Sequence, residues 1–128
     1  MRQATRLSST IEALRPRFLA QTEERLQRVL ALRPDLEANV RIEGAVNEIR
    51  SAAHKTSGIA ATLGFAALGR SAQEVDEALS SYSETSLMGP LPRVQVSLVD
   101  AFAEMMVDAL GSRSTQARAR VRMGGPGR

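Results

Sequence analysis

Residues 42–65 read IEGAVNEIRSAAHKTSGIAATLGF, and the spacing of apolar residues in this stretch decides the fold. Ile42, Val46, Ile49, Ala53, Thr56, Ala60 and Leu63 recur at alternating steps of three and four, which is the pitch of a helix with one buried face. The spacing predicts a helix from about Val40 or Glu43 to Leu63. Gly64 follows where a left-handed residue is needed to end it. Phe65, Leu68, Ala72, Val75, Leu79 and Tyr82 carry the same spacing onward. A second helix therefore starts at Phe65, and so tight a junction folds the two back on each other as an antiparallel pair.

Outward from this hairpin the pattern repeats. Leu19, Thr22, Leu26 and Val29 mark a helix from about Pro16 to Leu32, stopped by Arg33-Pro34-Asp35 because a residue before proline resists the α region. A short leading helix after Ser8-Ser9-Thr10 is expected ahead of it, broken at Pro16. Beyond the polar loop of residues 83–91, a last helix runs from Pro92 to Leu110, with Val94, Leu98, Ala101, Met105 and Ala109 inward and Gly111 closing it. The expected fold is all-α, an antiparallel up-down four-helix bundle with a short N-terminal helix and a disordered basic C-terminal tail. Residues 1–111 form the bundle and residues 112–128 a flexible Arg-rich tail.

Composition limits the chemistry. The chain has 128 residues, enough for one core and too few for two. It contains no cysteine and one histidine, which removes disulfides, thiolate metal centres and multi-histidine metal sites. No Gly-x-Ser-x-Gly elbow occurs, and no apolar run of about 18 residues spans a bilayer. Residues 1–10 lack the apolar segment of a signal peptide, so a cytoplasmic location is expected. The net charge of +3 comes from 17 basic and 14 acidic side chains. Five of the arginines (Arg113, Arg118, Arg120, Arg122 and Arg128) lie in residues 112–128, which hold no acid. The body is thus mildly acidic. That balance and the four aromatic residues argue against nucleic acid or a membrane surface as partner.

The single histidine, His54, points about 140° away from the centre of its helix's apolar stripe, at about 100° per residue. It is a solvent-facing residue in mid-helix, with Asn47, Arg50, Ser51, Ser57, Gly58 and Ala61 around it. Most exposed histidines are ordinary surface residues. Gly58 argues otherwise, since a glycine inside a helix costs about 1 kcal/mol relative to alanine. One that does not end the helix marks close approach by something else. Arg50 lies one turn before His54 on the same face, and Lys55, the only lysine, follows it directly. Both are placed to offset negative charge arriving on the imidazole.

The stretch Ala53-His54-Lys55-Thr56-Ser57-Gly58-Ile59-Ala60-Ala61-Thr62-Leu63-Gly64-Phe65 resembles the signature of histidine-containing phosphotransfer (HPt) domains: a histidine, a glycine four residues on, small residues, and a second glycine at the turn. The resemblance extends loosely over residues 10–110. Many members carry a lysine three residues after the histidine, where this chain has Ser57. Lys55 and Arg50 are the alternatives for its electrostatic role.

The resemblance implies a phosphocarrier rather than an enzyme. His54 would be the phosphorylated nucleophile, supported by Lys55, Arg50, Ser57 and Gly58, in a multistep two-component phosphorelay. Partners would be receiver domains of response regulators and hybrid histidine kinases. The chain would need no cofactor of its own, with Mg²⁺ in the partner receiver, and would work as a monomer. Docking would use helices one and two, with an apolar rim from Phe18, Leu19 or Leu26; Asp76 and Glu77 sit where the family often has a polar residue near the histidine. The alternative is a degenerate HPt-like bundle that binds receivers or kinases without carrying phosphate.

Overall fold

Four helices follow in chain order: α1 (Arg2–Ala38), α2 (Ile42–Ser57), α3 (Ala66–Thr85) and α4 (Arg93–Gly124). The coordinates are a computed structural model that describes the backbone of residues 2–39, 41–85 and 91–124. Side chains are described for residues 9–39, 41–80 and 91–111. No strand occurs among the described residues. The main packed pairs are α1 with α2, α2 with α3, α3 with α4 and α4 with α1, which is the square of an up-down bundle. Cross-links fix the antiparallel sense. Arg28 on α1 meets Glu48 on α2, whereas the earlier Arg15 reaches the later Leu63 carbonyl.

The core draws on all four stripes. Phe18, Val29, Val46, Ile49, Ala53, Leu63, Ala72, Val75, Leu79, Val99, Phe102 and Met106 are almost fully buried. Phe18 and Phe65 stack with ring centroids 5.6 Å apart, joining α1 to the α2–α3 junction. Thr22, fully buried, donates its hydroxyl hydrogen to the Phe18 carbonyl one turn back, so its polar atom costs the core little.

The α2–α3 junction is a Schellman turn. Gly64 has φ +98°, its N–H donates to the Ala61 carbonyl, and the Phe65 N–H donates to the Ala60 carbonyl. That is the paired bonding by which a left-handed residue closes a helix. The regular α2 nevertheless ends earlier than its stripe implies, at Ser57, with Gly58 at its C-cap and hydrogen-bonded turns over residues 58–64. Ala60 and Leu63 stay buried through those turns, which is why the apolar spacing continues past the helix end.

Three other boundaries differ from expectation. Residues 2–38 form one helix, with neither the break at Pro16 nor the stop at Pro34. Both prolines are exposed, so the carbonyls left without a donor one turn back face water. Leu36, buried beyond Pro34, gives the last turn a packing reason to persist. At the other end α4 continues through Gly111 to Gly124. A Cβ at Gly111 would meet nothing, and the Ala- and Arg-rich sequence that follows favours helix. The backbone of residues 112–124 thus continues α4, while residues 125–128 lie outside the described residues. So does the Met88-Gly89-Pro90 part of the loop.

The inward face of α4 is also rotated. Val96, Val99, Phe102, Met106 and Ala109 are buried, whereas Val94 is 67% exposed and Ala101 faces solvent. This helix is apolar on several sides, and burying Phe102, the largest ring available, sets its rotation.

Candidate functional site

α2 positions the histidine by burying the residues on its other side. Ala53 and Thr56 are fully buried, which turns His54 outward with 76% of its side chain exposed. Thr56 donates its hydroxyl hydrogen to the Ala52 carbonyl (2.8 Å) and accepts from Arg25 on α1 (3.3 Å). Arg25 is half-buried, and burial is the main reason its guanidinium lies below its ordinary value. This interhelical contact, which the helical pattern alone does not reveal, holds the segment beneath the imidazole.

On the other flank stands Asp76 of α3. Its Oδ2 lies 2.8 Å from His54 Nδ1, and its Oδ1 accepts from Arg50 Nε at 3.3 Å. An ionised carboxylate only accepts, so this hydrogen-bond network assigns the imidazole proton to Nδ1. The lone pair of Nε2 is left pointing away from the carboxylate. Asn47, Arg50, Ser51, His54 and Asp76 line a shallow hollow open to solvent. Of the two acidic residues expected near the histidine, only Asp76 reaches it. Glu77 accepts instead from Gln73, one turn back on α3.

The remaining candidates fall in different places. Ser57 Oγ donates to the His54 carbonyl at 3.0 Å, so its hydroxyl faces the helix backbone. Gly58 is exposed, and its N–H also donates to the His54 carbonyl. A Cβ there would meet only the carbonyl oxygens of His54 and Lys55, both at 3.8 Å. Gly58 caps α2 rather than lying inside it, so the helix-interior cost expected of it does not apply; what stands is the open space beyond it. Lys55 is exposed. Seven residues after Glu48, which pairs with Arg28, it lies on the α1 side of His54, while Arg50 lies on the α3 side.

Phe18, Leu19 and Leu26 do not form an apolar rim. All three are buried, at 2%, 7% and 6% exposure, because they are the stripe by which α1 joins the core. The exposed α1 surface is mixed: Glu23, Glu24 and Gln27 line a second shallow hollow with Ala20, while Leu14 and Leu30 are exposed elsewhere on the helix.

Among the described residues, no cluster of His, Asp and Glu could hold a metal ion, and no helix is long and apolar enough to cross a membrane. Fold and site together define a helical bundle that displays its one histidine to solvent, tethered by a carboxylate from the next helix. The model of the Hpt domain matches residues 13–112, and the chain belongs to that family, whose members are phosphotransfer modules of two-component signalling. No curated protein and no solved structure matches the chain.

Proposed function

We propose that the protein is a phosphocarrier of a multistep phosphorelay. His54 takes a phosphoryl group from the aspartate of one receiver domain and yields it to another. The observation that carries this reading is the state of the imidazole: Nδ1 engaged by Asp76 at 2.8 Å, Nε2 free to react, and the ring largely open to solvent on a helix packed from behind.

The step balances as follows. The Nε2 lone pair attacks phosphorus, the bond between phosphorus and the aspartyl oxygen breaks, and its electron pair leaves with the receiver's carboxylate. Nδ1 keeps its proton throughout. The phosphorylated ring therefore acquires cationic character, which the Asp76 carboxylate offsets. Phosphoryl transfer asks chiefly for in-line placement and charge neutralisation. The bundle supplies a nucleophile fixed in position, and the receiver supplies its aspartate and Mg²⁺. Reversal of the same step returns the group to a second receiver. The open surface at Gly58 supports docking of such a partner, because any side chain there would stand between the two proteins.

Mixing the protein with a receiver domain phosphorylated on its aspartate tests the proposal. Acid-labile, base-stable label should appear on the protein, and His54→Gln should abolish it while changing stability by no more than about 0.5 kcal/mol, as is usual for surface changes. Tight binding without label would favour the alternative, a bundle that binds receivers without carrying phosphate.

A further inference from the structure

His54 and Arg50 share the carboxylate of Asp76, and all three line one hollow, yet the two bonds are unequal. Asp76 Oδ2 holds the imidazole at 2.8 Å, whereas Oδ1 holds Arg50 through Nε alone at 3.3 Å. Two arginines of α1 are fastened differently. Arg28 grips Glu48 with two nitrogens at 2.7 and 2.8 Å, and Arg33 grips Asp100 with two at 2.7 and 3.1 Å. A two-point grip fixes a guanidinium. Arg50, with one long bond and a side chain 42% exposed, is held loosely, and it lines the hollow beside His54.

We infer that Arg50 is the residue that neutralises the phosphoryl group on His54, leaving Asp76 when the group arrives. This deepens the proposed function and rests on it. A phosphoryl group brings roughly −1.5 to −2 charge and three acceptor oxygens, against the single carboxylate oxygen that Arg50 now uses. Phosphorylation at Nε2 also makes the ring cationic, so the Nδ1–H tightens on Asp76 and weakens the carboxylate's hold on Arg50. Both changes push the guanidinium in one direction. Arg50 lies one turn before His54 on the α3 side, within reach of a group on Nε2. The other charged groups around the ring are placed less well. Lys55 lies on the α1 side, outside the hollow, and Arg25 is half-buried on α1 against Thr56, also outside it. Ser57 is turned to the His54 carbonyl, so the position three residues after the histidine supplies no counter-charge.

The test uses phosphoramidate, a small-molecule phosphoryl donor to histidine, so that it does not depend on a receiver. The second ionisation of the phosphoryl group is followed by ³¹P NMR. A cation in contact favours the dianion, so Arg50→Gln should raise the midpoint by about 0.2–0.7 pH units, and Arg50→Lys should recover part of the shift. Asp76→Asn should move the Arg50 Nε–H resonance in the unphosphorylated protein and leave it nearly in place in the phosphorylated one. A shift in Lys55→Gln equal to or larger than that in Arg50→Gln would overturn the assignment. So would an Arg50 resonance that follows Asp76 equally in both states, or a folded protein that phosphoramidate does not label on His54. A protein that phosphoramidate labels but no phosphorylated receiver does would sink the carrier reading alone.

Discussion

Replacing Asp76 with alanine isolates the contact on which the proposed nucleophile, His54, depends. The carboxylate takes the Nδ1 proton at 2.8 Å and thereby keeps the Nε2 lone pair available. A hydrogen bond to a charged group contributes about 1.5–3 kcal/mol. Here the imidazole is 76% exposed, and screening by water reduces that to at most about 1 kcal/mol. Without the acceptor, free imidazole favours a proton on Nε2, the atom required for attack. The ring also loses the anion that offsets its charge after transfer. At about 1.4 kcal/mol per tenfold in rate, single-turnover transfer from a phosphorylated receiver should slow by up to about fivefold in Asp76→Ala. Asp76→Glu should restore part of the loss. Folding should weaken by no more than about 1 kcal/mol, since the variant loses the largely exposed His54 contact and one long ion pair with Arg50 and gains helix propensity. Quenched-flow measurement of labelled protein gives the rate, and ¹⁵N shifts of the neutral imidazole report the tautomer. Equal rates, with the proton still on Nδ1 in the variant, would refute the reasoning.

Gly58→Leu should leave the melting temperature nearly unchanged, since Gly58 already has the αR backbone of an ordinary L-residue (φ −69°, ψ −23°) and a Cβ there meets nothing closer than 3.8 Å. The same variant should transfer phosphoryl groups much more slowly. Gly64→Ala should do the reverse: φ +98° imposes about 1–2 kcal/mol on an L-residue, lowering the melting temperature by several degrees while a receiver still finds His54 open. The α1–α2 pair should give an acid-side signature. Glu48 lies below the ordinary glutamate range because of its hydrogen bond with Arg28 and then that residue's charge. A carboxyl depressed on folding stabilises above its unfolded pKa, and that contribution fades as pH falls through the folded value. Glu48→Gln should therefore lose less melting temperature than the parent between about pH 7 and about pH 3, as thermal scans would show.

Helical spacing made the bundle, the α2–α3 hairpin and the outward His54 readable from the chain alone. Gly64 was legible because only one conformation suits that turn. The helix ends were harder to read. Prolines at 16 and 34 break helices on average, yet exposed positions let water serve the orphaned carbonyls, and a buried Leu36 decides the outcome at the second. The rotation of α4 was ambiguous because apolar residues occupy more than one of its faces, and only packing against α1 and α3 selects Phe102 over Val94. The same limit misplaced the apolar rim, since Phe18, Leu19 and Leu26 belong to the stripe itself. Within the site, neighbours on α2 follow from periodicity. The contacts of Asp76 and of Arg25 with Thr56 come from other helices, whose register with α2 no local pattern encodes.

The most direct measurement locates the label itself. After brief exposure to a phosphorylated receiver, the protein is digested and mapped at neutral pH, and the phosphorylated peptide is sequenced by fragmentation that preserves phosphoramidate bonds. The account predicts a single modified residue, His54, joined through Nε2. Label on any other side chain, or an unmodified His54 in protein that has bound the receiver, would contradict it.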